Sequence, residues 1–236
     1  MKPYILFIGL FLLHSTTSEC INSYFAGDTL TVWAEGGLFL RDTNSINGHK
    51  LGLIPYGHTL KILETKTFRY KEDSILYFNA RQDEYGRLYE EYYLKGHWVK
   101  VIYNSKTGYV FDGYLSHFSA PKILVYNEQE DLIHYIERVF GLISSHKKES
   151  DTKDITIVSK YFHKGISVCY TIFESKGGKA RYVLPEFSLE EIMIFYKNGK
   201  GINYENGGYM LRADQGAGQI RTLKLGYCIE IYADEL

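Results

Sequence analysis

A chain of 236 residues with 45% hydrophobic and 23% charged side chains has the composition of a globular protein, long enough for one large or two small domains that each bury a core. A formal net charge of -1 leaves no electrostatic footprint for nucleic acid or for a membrane held by charge, so neither is expected as a partner. Aromatics make up 16% of the chain, and 22 Tyr and 22 Gly against only 4 Pro favour β-structure. Residues 1–19 read as a signal peptide and not as fold: Lys2 is followed by the apolar run Tyr4 to Leu13 and then by the small polar stretch Ser15-Thr16-Thr17-Ser18. That run is too short to cross a bilayer as a helix, so the mature chain is expected to be exported.

Beyond the leader, Thr29 to Ala34 predicts a strand that feeds a Gly36-Gly37 turn and a second strand, Leu38 to Asp42, in which Leu38 and Leu40 alternate with Phe39 and Arg41. Asp42 to His49 is turn chemistry, with Asn47-Gly48 able to take positive φ. Leu51 and Leu53 bracket Gly52, Pro55-Tyr56-Gly57 interrupts two apolar runs, and Thr59 to Glu64 predicts a further strand. Trp98 to Tyr103, the Asn104 to Gly108 turn, Tyr109 to Asp112 and Gly113-Tyr-Leu close the first half. Gly36-Gly-Leu-Phe-Leu-Arg-Asp, Leu51-Gly-Leu-Ile-Pro-Tyr-Gly, Trp98-Val-Lys-Val and Gly108-Tyr-Val-Phe resemble the bacterial SH3-like (SH3b) domain. The likeness covers about residues 29–118 and implies an SH3-like β-barrel. Between Leu63 and Trp98, where that family has a short turn, about residues 65–96 form an insertion rich in Tyr, expected to be an extended aromatic hairpin protruding from the barrel.

Residues 119–126, beginning Ser-Ala-Pro-Lys, read as a linker, and residues 127–236 as an α+β domain with a mostly antiparallel sheet. A helix is expected from Asn127, with Asn127 as cap, Glu130 as the reciprocal acceptor and an apolar stripe of Leu132, Ile133, Ile136, Val139, Phe140 and Ile143. His146 to Asp154 reads as a charged loop. Strands are expected at Ile155 to Val158, Gly165 to Glu174, Lys179 to Leu184, Tyr209 to Ala213, Gln219 to Leu225 and Tyr227 to Tyr232, and Ser188-Leu-Glu-Glu191 announces a short capped helix.

Cys20 directly follows the leader, where a bacterial lipoprotein carries its acylated cysteine, although Glu19 is charged where that pattern has a small residue. Two readings stand: lipidation at Cys20, or ordinary cleavage after Ser18 with Thr16 and Ser18 as the small pair. Cys169 and Cys228, each in an alternating segment, either form a disulfide, worth on the order of 4 kcal/mol for the loop it would close, or are two small buried hydrophobes. Catalysis by Cys169 with His163 is not expected, because a nucleophilic thiolate wants a helix start and Cys169 sits inside a strand pattern. The adjacent pairs Glu90-Glu91 and Glu190-Glu191 announce no glycosidase geometry, and the 8 His show no helical pairing, so neither metal nor cofactor is expected.

The resemblance implies an exported bacterial protein of the periplasm or cell envelope that binds cell-wall peptide or glycan, that is peptidoglycan, or an envelope protein, and does not catalyse. Its membrane contact would run only through the N-terminal anchor. Trp33, Tyr56, Trp98 and Tyr109 are the candidate stacking faces and Arg41 the candidate carboxylate partner, with the barrel core as a rival claimant for Trp98 and Tyr109. The alternatives are a peptidoglycan-directed hydrolase with its site in the second domain, or a structural assembly component of the envelope.

Overall fold

The computed structural model describes residues 24–64, 72–82, 88–89, 91–123, 130–152, 154–174 and 177–195, together with the strand backbones of 201–205, 208–213, 216–222 and 227–233. The leader and Cys20, the helix cap expected at Asn127 and residues 124–126 of the expected linker lie outside these. The first half opens with β1 (Thr29–Val32), β2 (Leu38–Arg41), β3 (Lys50–Ile54) and β4 (Thr59–Ile62). The insertion supplies β5 (Asp73–Phe78), β6 (Arg81–Gln82), β7 (Leu88–Tyr89) and β8 (Tyr92–Gly96), and β9 (Trp98–Tyr103), β10 (Lys106–Phe111) and β11 (Leu115–Ser116) follow. Seven of these strands form one antiparallel sheet in the order β11-β1-β4-β9-β10-β2-β3.

Alternation sets the inner face of that sheet. Leu30 lies opposite Leu60, Leu38 opposite Ile54 and Val99 opposite Val110, and all six are buried in a single cluster with Val32, Leu40, Ile62, Val101 and Leu115. One face burying itself this way obliges the sheet to curl. It does not close into the expected barrel, because β3 and β11 remain the two ends of the ladder. At the corner where β3 runs back toward β1, Pro55 has no N–H to extend the ladder, and the turn makes the connection instead: Gly57 N–H donates to the Val32 carbonyl at 2.9 Å. Tyr24 anchors the chain ahead of β1, its hydroxyl donating to Asp112 at 2.6 Å.

The insertion is a hairpin, β5 pairing antiparallel with β8 and β6 with β7. It does not protrude. Tyr92 and Leu94 are buried in the same apolar cluster as the helices of the second half, and Phe78 stacks on Tyr92. Burying two alternate residues of β8 gives the aromatic run a face to cover, and that outweighs its exposure to water.

The second half comprises α1 (Leu132–Phe140), β12 (Leu142–Glu149), β13 (Ile155–Phe162), β14 (Ser167–Phe173), β15 (Gly177–Leu184), α2 (Leu189–Phe195), β16 (Gly201–Glu205), β17 (Gly208–Ala213), β18 (Gly216–Thr222) and β19 (Tyr227–Ala233). Its eight described strands form one antiparallel sheet, β12-β13-β14-β15-β19-β18-β17-β16, so the described residues are mostly β with two α-helices. Three expectations are corrected here. The helix starts at Leu132 and is capped by Asp131, which accepts the His134 N–H at 2.9 Å, while Glu130 is drawn off to Arg138. Ile143 belongs to no helix and lies exposed on β12. Of the loop expected over His146–Asp154, His146–Glu149 is instead the end of β12, since an edge strand leaves its side chains in water and places no apolar demand on them, and the turn is confined to the residues between Glu149 and Ile155. β16 has no counterpart among the expected strands.

The larger core joins the halves. Trp33, Trp98, Phe111 and Phe118 pack with Leu132, Tyr135, Ile136 and Phe140 of α1, with Val168, Tyr182 and Leu184 of the second sheet, and with Ile192 to Phe195 of α2. The segment after Phe118 is correspondingly pinned: Tyr135 donates to the Ser119 carbonyl at 2.9 Å, Arg138 to that of Ala120 at 3.2 Å and Tyr56 to that of Pro121 at 2.6 Å.

Candidate functional site

A cleft of about 330 Å³ opens where the β1–β2 turn meets the insertion and α2. Its lining is Trp33, Ala34, Glu35, Gly36, Gly37, Leu38, Tyr56, Tyr77, Tyr114 and Ile194. Each element contributes for a local reason. Trp33 directly follows β1 and is held as the floor, its Nε1–H donating to the Phe118 carbonyl at 3.1 Å and its N–H to that of Tyr114 at 2.9 Å. The turn carrying Glu35 is closed by Gly37 N–H to the Ala34 carbonyl at 2.8 Å, with Gly37 at φ 78°. Tyr56 comes from the Pro55–Gly57 corner, Tyr77 from β5 and Tyr114 from the single helical turn Asp112–Tyr114 after β10. Tyr77 lies edge-on to Tyr114, ring centroids 6.1 Å apart, and its hydroxyl reaches the Ile194 carbonyl at 3.5 Å.

Burial raises the Tyr56 phenol above its ordinary pKa, and the negative charges of Glu35 and Glu130 raise it further, with Arg138 opposing. Burial also raises Tyr77, helped by Tyr114, Glu35 and Tyr56, and burial alone raises Tyr114. The three phenols therefore stay protonated across physiological pH and present hydroxyls and ring faces. Among the described lining residues, Glu35 carries the one carboxylate and is exposed at the rim.

Of the five binding residues expected from sequence, Trp33 and Tyr56 line this cleft and three do not. Arg41 is buried, its Nη1 donating to the Gly48 carbonyl at 2.7 Å and its guanidinium lying 5.8 Å from the centre of the Trp98 ring. Trp98 is likewise buried, Nε1–H donating to Asp73 at 2.8 Å with Phe111 against the ring. Tyr109 pairs in register with Arg41 and packs half-buried on the shared core. These three fasten the first sheet to its turn and to the insertion. Glu35, Tyr77 and Tyr114 were not singled out as binding residues. Tyr77 stood in the aromatic insertion, but nothing in a linear sequence shows that β5 folds back beside β1.

The remaining sites resolve simply. β15 lies between β14 and β19, and Cys169 and Cys228 pair with residues two apart on it, Arg181 and Val183. Their backbones are about two strand spacings apart, beyond disulfide reach, and Cys169 is a free thiol whose sulfur accepts from Ser159 at 3.7 Å. Glu191 is the buried cap of α2. Among the described residues no three His, Cys, Asp or Glu side chains group as metal ligands, and no helix is long and apolar enough to cross a membrane. No family model matches the chain, and no curated protein or solved structure matches it.

Proposed function

We propose that the chain is an exported bacterial cell-envelope protein that binds its ligand without transforming it, the SH3-like first half supplying most of the recognising face. The ligand is cell-wall peptide or glycan, or an envelope protein, and the N-terminus is the point of any membrane attachment. The observation that supports this is the aromatic cleft, where Trp33, Tyr56, Tyr77 and Tyr114 gather ring faces and phenol hydroxyls in one concavity. Aromatic faces accept sugar rings and peptide stems, while hydroxyls fix their orientation. The likeness to SH3b domains supports the same reading.

Purified peptidoglycan is expected to retain the mature chain and to lose Tyr56→Ala and Tyr77→Ala. Tyr93→Ala, which removes an exposed Tyr outside the cleft, is expected to stay bound. Each variant is first matched to wild type in unfolding midpoint. Failure of the wild-type chain to be retained overturns the cell-wall ligand and leaves the envelope protein, and release of soluble wall fragments overturns binding without transformation.

A further inference from the structure

Three phenols line the cleft, and their hydroxyls are not equivalent. Tyr56 donates to the Pro121 carbonyl at 2.6 Å and Tyr77 to the Ile194 carbonyl at 3.5 Å, so each has its one donor committed and only oxygen lone pairs left to offer. The Trp33 indole N–H is likewise given to the Phe118 carbonyl at 3.1 Å. Tyr114 differs. Burial is the single cause of its raised pKa, with no hydrogen-bonding partner contributing, and its hydroxyl meets no acceptor among the described residues. Its ring is nonetheless held, edge-on to Tyr77 and to Phe111 with centroids 6.1 Å apart in each case, and its carbonyl accepts the Trp33 N–H at 2.9 Å. One positioned donor and one acceptor therefore line the same concavity. No Lys, Arg or His is among the described lining residues, so a carboxylate or phosphate entering here loses water without gaining a cation. Trp33, Leu38 and Ile194 supply the apolar part of the wall.

We infer that the cleft between the β1–β2 turn, the insertion and α2 recognises an uncharged secondary amide flanked by small apolar groups, its carbonyl oxygen accepting the Tyr114 hydroxyl and its N–H donating to the Tyr77 oxygen. The apolar flanks lie against Trp33, Leu38 and Ile194. This rests on the reading above that the cleft is the recognising face, and it names the group recognised and the residue that selects it. A secondary amide carries one acceptor and one donor, which the Tyr114 and Tyr77 hydroxyls complement; an ester lacks the donor and leaves the Tyr77 lone pairs unmet. The volume of about 330 Å³ is at the small end of ligand pockets and admits one such group, not an extended polymer. An N-acetylated amino sugar and an alanine-sized peptide unit carry the same chemistry, and the probes separate the two.

The probes are N-acetyl-D-glucosamine against D-glucose, which lacks the acetamido group, and N-acetyl-alanine methylamide against its ester isostere, in which oxygen replaces each amide N–H. Titrations followed by calorimetry and by tryptophan fluorescence are expected to show an amide probe bound at least about tenfold more tightly than its partner. Selectivity confined to the first pair assigns the amide to a sugar, and selectivity confined to the second assigns it to a peptide. Tyr114→Phe, which keeps the ring and removes the donor, is expected to bring the paired affinities within about twofold of each other. Tyr93→Phe, at an exposed position outside the cleft, is expected to leave the gap intact. Equal affinities within both pairs in the wild type, binding of neither amide, or a gap that survives Tyr114→Phe overturns the inference. The wild-type comparison needs no variant, so it decides the matter whether or not Tyr114→Phe folds. The wall retention assay separates this from the broader reading. Retention that is lost in Tyr77→Ala, together with equal probe affinities, sinks the amide and leaves the wall-binding cleft standing. Amide-selective probe binding without wall retention keeps the amide and removes the cell wall as its source.

Discussion

Glu191 performs two jobs at one position. As the third residue of α2 it completes a reciprocal cap, accepting the Ser188 N–H at 2.7 Å while Ser188 Oγ accepts its own N–H at 3.0 Å, and its other oxygen accepts the Ser116 hydroxyl from β11. It thereby ties α2 to the first sheet inside a site that is closed to water. Burial raises its carboxyl from 4.5 to about 7, against the hydrogen bonds from Ser116 and Ser188 that favour the charged form. The folded chain therefore keeps a proton that the unfolded chain gives up above about pH 4.5, so the stability linked to this group is full below that pH and is lost as pH rises through 7. Glu191→Gln, which a helix cap of this kind tolerates, is expected to remove that dependence. Urea unfolding between about pH 5 and about pH 8 should show the wild type losing on the order of 2 kcal/mol relative to the variant. Parallel stability profiles would show that the carboxyl stays ionised throughout. The Ser188-Leu-Glu-Glu191 pattern was legible in the sequence, whereas Ser116, 75 residues away, was not.

Among the elements, the β1–β2 turn shows how a local signal becomes a positional one. Two glycines follow Glu35, and a reading of the chain treats them alike. The structure does not. Gly37 has φ 78°, and a Cβ there would stand 2.8 Å from the Ile54 carbonyl oxygen, while Gly36 has nothing within 4 Å. Gly37→Ala is expected to cost about 1–3 kcal/mol in urea unfolding and to displace the turn that carries Glu35, while Gly36→Ala costs less than about 1 kcal/mol. Equal losses would mean that the turn can relax and that the approach of β3 does not hold it. The insertion makes the complementary point: a hairpin was legible from its composition, but its docking on α2, where the Tyr77 hydroxyl reaches the Ile194 carbonyl, depends on a surface 117 residues further along the chain.

Across the whole molecule, the two halves share the larger core, and both tryptophans lie in it. Trp33 packs edge-on against Tyr135 of α1, 5.8 Å between ring centroids, and Phe118 stacks on Phe187 at 4.9 Å. Arg138 binds the Glu130 carboxylate, which is also fixed by the Lys122 N–H at 3.0 Å. Burial pushes that carboxyl up, but these bonds outweigh it and hold it below its ordinary pKa. Such a joint couples the halves energetically, so thermal or urea unfolding is expected to be one transition, superimposable by far-UV circular dichroism and tryptophan fluorescence. Two resolved transitions would show instead that each half is stable without the other.

The sequence by itself determined the mostly β character, nearly every strand of the first half, the antiparallel second sheet and the cap of α2, because alternation, turn chemistry and capping act over a few residues. Tertiary structure decided that the first sheet stays open, that Arg41, Trp98 and Tyr109 fasten it together, and that Glu35, Tyr77 and Tyr114 join Trp33 and Tyr56 around one cleft. Those outcomes turn on which apolar faces meet across long stretches of chain, and burying one face against another is a contest that local patterns enter but do not settle.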